Sequence, residues 1–268
     1  MKIYLAGSYS RREYIYEESV KLFLAGCKPW MADGIYNKTL ESYNPYILET
    51  FFDLRNDDKF HNKIKNTFGD FLLDSGAFTF MSGTAKESNW NQYARDYANY
   101  IKANGVKNYF ELDLDSLMSL DKVEGLRKLI EDITGIASIP VWHKSRGLDY
   151  WFKMCEDYNY IAIGGIVSGE IKRNQFDVFH KLISIADKNK TKVHGLGFTN
   201  LAGIKKYKFY SVDSTAWLYG NRGGFLYKFN GQELTKIYMK DRRMKGKEAA
   251  VHNFTEWVKF SKFMERHF

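Results

Sequence analysis

FLLDSGAFTF, residues 71–80, carries an apolar run straight into an aspartate and then into Ser75, Gly76 and Ala77. A short continuous apolar run bounded by turn residues reads as a strand buried on both faces, the kind found in parallel sheets. The small residues after it mark a tight turn where another group approaches the backbone. Asp74 then stands at the carboxyl end of a parallel strand, where α/β folds place their chemistry. The competing role for Asp74 is local: an aspartate also caps the following segment through backbone N–H groups such as those of Ser75 and Gly76.

The same pattern recurs along the chain. Strands are expected at 2–6, 70–73, 107–112, 138–142, 159–163, 192–194 and 208–212, with an eighth near 28–32 or 225–229. Between them the apolar spacing predicts helices over 13–25, 46–66, 89–105, 119–133, 148–157, 174–189, 199–206 and 247–265. Strand and helix alternate over short connections, which argues a parallel sheet with helices packed outside it. Polar groups fall at the strand ends: Asp74, Asp113 and Asp115, His143, Gly164 and Gly165, His194 and Asp213. A TIM (β/α)8 barrel would gather all of them at one mouth. A doubly wound open sheet, the alternative, would gather only those near its switch point.

The 268 residues fit one α/β domain, with 44% apolar residues to build its core, and no linker-like or low-complexity tract divides them. No apolar run reaches the roughly 18 residues of a membrane span, so a cytoplasmic protein without a membrane partner is expected. Cys27 and Cys155 lie far apart without metal-ligand spacing, and both read as core thiols; no metal and no cofactor is expected. The net charge of +8 favours an anionic partner such as nucleic acid. Much of it is local, in Lys236, Lys240, Arg242, Arg243, Lys245 and Lys247.

Paired carboxylates at separate strand ends suit transfer at a sugar carbon, one acid attacking or stabilising the anomeric carbon while another moves a proton on the leaving group. Strand alternation puts Asp113 and Asp115 on one side. That pair offers either a divalent cation site or an acceptor for the N–H groups of a guanine edge.

In order and spacing, LLDSGAF, FELDLDS, YIAIGGIVSGE, VHGLGF and FYSVDSTAW followed by NRGG resemble the motifs of the tRNA-guanine transglycosylases across roughly residues 70–231. The shorter chain is more similar still to divergent phage and bacterial relatives, including the deazaguanine DNA transglycosylases. This resemblance implies a TIM barrel that exchanges guanine for a 7-deazaguanine by double displacement. By motif, Asp213 would be the nucleophile and Asp74 the general acid/base. Asp113 or Asp115 would read the guanine edge together with His143, Gly164, Gly165, Ser75 and His194. Arg222, Lys240, Arg242, Arg243 and Lys245 would contact the nucleic-acid backbone. The chain departs from the family in having DSGAF for DSGGF and in lacking a cysteine after Cys155, so the zinc subdomain is expected to be absent. The expected partners are DNA, or tRNA, and a free 7-deazaguanine or purine base. Four alternatives remain: a DNA glycosylase using the same residues with water, a tRNA-guanine transglycosylase, a nucleoside 2-deoxyribosyltransferase, whose start MKIYLAGSYS resembles, and a catalytically inactive nucleic-acid-binding module, which Asp213 or Asp74 pointing away from any cavity would favour.

Overall fold

The computed structural model describes residues 20–27, 43–57, 70–198, 200–220, 224–239 and 246–267. Seven parallel strands form one sheet: β1 (Lys21–Ala25), β2 (Ile47–Thr50), β3 (Phe71–Asp74), β4 (Val141–Trp142), β5 (Tyr160–Ile163), β6 (Lys192–Gly195) and β7 (Ser211–Ser214). Their order is β3-β2-β1-β7-β6-β5-β4. Tyr109 forms a parallel bridge to Leu73 in β3, and Phe110 forms one to Ile139, just ahead of β4. Residues 109–110 therefore join the two edge strands, and the curled sheet is TIM-barrel-like.

Alternate residues of the strands belong to two separate cores, as the period of two requires for a curled sheet with an inside and an outside. Phe23, Ala25, Leu48, Leu72, Phe110, Ile139, Val141 and Ala162 pack together on the inside. Their chain neighbours Leu22, Leu24, Ile47, Leu73, Trp142, Ile161 and Ile163 pack outward with the helices.

The helices are α1 (Phe51–Leu54), α2 (Ala77–Met81), α3 (Trp90–Asn104), α4 (Leu120–Thr134), α5 (Gly147–Asp157), α6 (Val178–Lys188), α7 (Leu201–Lys206) and α8 (Gly246–His267). Asn89 starts α3 by accepting the Gln92 N–H at 3.1 Å, and Gly105 ends it at φ 60°. The buried face of α3 carries Tyr97, whose hydroxyl lies 3.1 Å from the Leu73 carbonyl and 3.0 Å from that of Phe110. It thus ties the helix to β3 and to the narrow 109–110 junction beside it. A hairpin of β8 (Phe225–Phe229) and β9 (Leu234–Tyr238) stands between β7 and α8. Helix α8 crosses back to β1, where the Ser261 hydroxyl donates to the Leu22 carbonyl at 3.0 Å.

Several expectations from sequence change here. The end of the expected 13–25 helix is strand β1, and the start of the expected 46–66 helix is β2 followed by the single turn α1. A short fully buried strand and a buried helix segment share the same apolar run, so periodicity alone does not separate them. Residues 225–229 do form a strand, but in the antiparallel hairpin rather than the parallel sheet. The expected strands at 2–6 and 28–32 lie outside the described residues. Cys27 and Cys155 are both buried. Among the described residues, no helix is long and apolar enough to cross a membrane.

Candidate active site

A cavity of about 1340 Å³ opens at the carboxyl ends of the strands, and Asp74, Asp113, Asp115, His143, Gly164, Gly165 and Asp213 all line it. These residues come from five different strand ends, and the curl of the sheet brings them to one mouth.

Asp74 ends β3, and the chain turns sharply behind it through Gly76. Gly76 has φ 82°, and a Cβ there would come within 2.6 Å of the Phe52 Cβ, so both backbone conformation and space call for glycine. The backbone N–H groups of Ser75 and Gly76 do donate to the Asp74 carboxylate, yet burial, with the negative charges of Asp213 and Asp113, prevails and pushes its carboxyl up to about 7. The local capping contacts and the cavity position thus coexist.

Asp213, 7% exposed, lies in β7. Its Oδ1 accepts the Gly197 N–H at 2.6 Å and lies 3.2 Å from Nε2 of His194.

His143 follows β4 and sits between two carboxylates: Nε2 is 2.7 Å from Asp113 and Nδ1 is 2.9 Å from Glu170. Burial disfavours the imidazolium, but the hydrogen bond and charge of Asp113, with Glu170 and Asp115 behind them, raise His143 to about 9. Both ring nitrogens therefore carry protons at neutral pH and donate to the two acids. Gly164 leaves room for the ring, since a Cβ on it would fall 2.8 Å from the His143 Cε1 and Nε2 atoms.

Beneath this pair is a second charged layer. Arg146 grips Asp115 through two bonds of 2.7 and 2.6 Å and reaches Glu111 at 2.9 Å, with its side chain 1% exposed. Glu111 is fully buried and also takes Arg127 at 3.1 Å and the Val141 N–H at 2.6 Å. Burial tends to raise the Asp115 carboxyl, but the bidentate Arg146 contact holds it below its ordinary value. Asp113 moves the other way, raised chiefly by its burial.

Asp113, Asp115 and His143 come close enough that one ligand atom from each lies within 4.8 Å of the others. Even so, the donor set does not fit a divalent cation in this arrangement. Both Asp115 oxygens hold Arg146, and both His143 nitrogens face carboxylates, so a metal would have to displace a guanidinium and deprotonate the imidazole.

Two residues expected to touch the base are placed elsewhere. His194 is 0% exposed and lies behind Asp213, with Nδ1 2.6 Å from the Ser211 hydroxyl, because the alternation of β6 points it inside the sheet. Ser75 is also fully buried; its hydroxyl oxygen accepts the Ala77 N–H at 3.3 Å and its carbonyl accepts from the Tyr93 hydroxyl at 2.7 Å. Ser75 therefore shapes the turn that carries Asp74. Arg222, Lys240, Arg242, Arg243 and Lys245 lie outside the described residues. Of the remaining basic residues in that segment, Lys236 lies over the Phe225 ring at 4.7 Å.

Sequence reasoning passed over Glu49, Glu170 and Arg146. Glu49 lines the cavity at 1% exposure and accepts the Cys27 N–H at 2.5 Å, but it sits in a stretch read as helix, which hid its strand-end position. Glu170 closes the quoted motif YIAIGGIVSGE seven residues past the end of β5, and Arg146 stands three residues after His143; an acid within the motif and a cation beside His143 are the available signals.

No family model matches this sequence, and no curated protein does. Among solved structures, QR15, an aldolase, is similar with a TM-score of 0.45 and 12% identity, over 75% of this chain and 91% of that one.

Proposed function

We propose that this protein is a TIM-barrel N-glycosyl transferase that exchanges a guanine in DNA for a 7-deazaguanine-type base through an Asp213 glycosyl-enzyme. The observation that carries the reading is that Asp213 and Asp74 line one cavity and interact through their charges, with the Asp74 carboxyl pushed up to about 7. The motif resemblance supplies the substrate class, and a single domain without the zinc subdomain is part of the same proposal.

In the first half-reaction a carboxylate oxygen of Asp213 attacks C1′ of the nucleotide. The C1′–N9 bond breaks, its electron pair stays on the purine, and Asp74 delivers the balancing proton. The sugar carbon carries partial positive charge in this transition state, and the surrounding acids favour it. A carboxyl that titrates near 7 serves both directions, since it is populated as acid for departure and as base for arrival. In the second half-reaction the incoming base gives a proton to Asp74, and its N9 displaces Asp213 from C1′.

Asp113 presents a carboxylate fixed by His143, and a fixed acceptor suits the adjacent N1–H and N2–H donors of guanine. Gly164 and Gly165 line the same cavity, and the lack of a Cβ on each makes room for His143 and Glu170 beside it. A target inside duplex has to leave the stack before it can enter such a cavity, so single-stranded or mismatched DNA is expected to react faster than perfect duplex.

The test is mass analysis of nucleosides from the DNA and tRNA of cells expressing the protein, beside an Asp213→Asn control. A modified deoxynucleoside that vanishes in the control is the expected result. A modified ribonucleoside would move the substrate to tRNA, an abasic product would indicate hydrolysis, and activity on free deoxynucleosides alone would indicate a deoxyribosyltransferase.

A further inference from the structure

Behind Asp213 a line of polar side chains runs down the inside of the sheet, among the apolar side chains of Phe23, Phe110 and Ala162. Nε2 of His194 is 3.2 Å from Asp213 Oδ1, Nδ1 of His194 is 2.6 Å from Ser211 Oγ, and Ser211 Oγ is 2.6 Å from the Tyr160 hydroxyl. His194 and Ser211 are both 0% exposed, and the rings of Phe23 and Phe110 flank the imidazole at 6.2 and 5.1 Å. Polar groups this deep are kept only if their hydrogen bonds are satisfied, so the line has to be consistent from end to end.

Serine, histidine and aspartate in hydrogen-bonded series resemble the set used by serine hydrolases, but the order of exposure is reversed. Here the serine is sealed inside and the aspartate faces the cavity. The reacting end is the carboxylate, and the serine can only orient the ring.

We propose that Tyr160, Ser211 and His194 are positioning residues that fix the Nε2–H tautomer of His194 and thereby bind Asp213 through Oδ1, leaving Oδ2 as the atom that attacks. The direction of the bonds follows from the Asp213 end, where a carboxylate can only accept, so Nε2 of His194 donates. In the neutral ring Nδ1 is then bare and accepts the Ser211 hydroxyl proton, which leaves Ser211 Oγ to accept the proton of Tyr160. Burial keeps the Tyr160 hydroxyl protonated well beyond its ordinary range, so the first donor of the line is not lost at working pH. At the other end Oδ1 receives two N–H groups, from His194 and from Gly197 at 2.6 Å. An oxygen holding two donors is the weaker nucleophile of the pair, and Oδ2 is the oxygen that remains to approach C1′.

The role in attack rests on the transferase reading above, whereas the tautomer does not, and the experiment separates them. Two-bond nitrogen–proton spectra of protein labelled at its histidines read the tautomer directly, with His194 assigned by its loss in His194→Gln. Wild type is expected to show a neutral ring with its proton on Nε2, and Tyr160→Phe, which removes the first donor, to show Nδ1–H at least in part. In parallel, Tyr160→Phe should lower kcat by roughly tenfold with KM unchanged, and His194→Gln, whose amide can still donate toward Asp213, should retain more activity than His194→Phe. A doubly protonated His194 in wild type, or a Tyr160→Phe protein with the wild-type tautomer and kcat, would overturn the proposal. If the tautomer shifts as expected but wild type forms no covalent adduct with nucleic acid, the relay stands and the transferase reading falls.

Discussion

Asp74 and Asp213 end strands on opposite sides of β1 in the sheet, yet both face one cavity, and the negative charge of Asp213 adds to burial in holding the Asp74 carboxyl at about 7. Asp213→Asn removes that charge, so Asp74 is expected to titrate lower in the variant than in wild type. The same substitution should cut turnover by several orders of magnitude and abolish any covalent adduct on a denaturing gel. Carbon-13 titration of labelled aspartates, with Asp74→Asn to assign the signal, measures the first effect. An unmoved Asp74 titration would show that the two acids do not sense one another.

A carboxyl whose folded value lies above its ordinary 3.8 binds its proton more tightly in the folded protein than in the unfolded chain. Asp74 therefore takes stability away as pH rises from 3.8 towards about 7. Relative to wild type, Asp74→Asn should gain stability across that interval while losing activity. Urea unfolding at pH 4.5 and pH 7.5 gives the comparison, and a constant difference between the two proteins would contradict the burial of this acid.

His143 has the opposite sign. Its folded value of about 9 exceeds the ordinary 6.5, so its contribution to stability is complete below 6.5 and fades as pH rises through about 9. His143→Gln should be less stable than wild type at pH 6, and the gap should narrow by pH 9.5. Thermal unfolding at the two pH values tests this, and a gap that widens with pH would exclude the doubly donating imidazolium.

Arg146 is the buried cation shared by Asp115 and Glu111. Arg146→Ala leaves acids facing one another without a counter-charge and should cost about 3–5 kcal/mol of stability, measured by urea unfolding. Arg146→Lys keeps the charge but loses the planar two-bond grip on Asp115, so an intermediate loss is expected. A loss from Arg146→Ala below about 1 kcal/mol, the range of an exposed pair, would mean that water reaches the cluster.

Gly164→Ala would put a methyl group 2.8 Å from both the His143 ring and Val141 Cγ1. One of them has to move, and an overpacked site of this kind costs about 1–3 kcal/mol. His143 is the partner held at both ends by carboxylates, so its displacement should also weaken binding of a guanine analogue. Calorimetry of that analogue against wild type and variant is the measurement; equal affinities would place the base away from this turn.

Much of the organisation is legible in the chain itself. From residue 70 onward, the alternation of apolar runs with helical spacing, the Gly105 stop after residues 90–104, and acids or glycines at the ends of apolar runs are local signals that correspond to observed elements. The cavity lining follows from the same pattern, because a parallel sheet puts every strand's carboxyl end on one side. Tertiary structure alone decided the rest. KLFLA at 21–25 becomes a strand because β7 and β2 flank it with open backbone groups, a condition no local period reports. His194 and Asp213 both face inward from neighbouring strands, and only the register of β6 against β7 makes one the buried support of the other. Arg146 meets Asp115 across 31 residues of chain, and His143 meets Asp113 across 30. Such pairings carry no signature in spacing, since the energy that fixes them arises only when folding removes both partners from water.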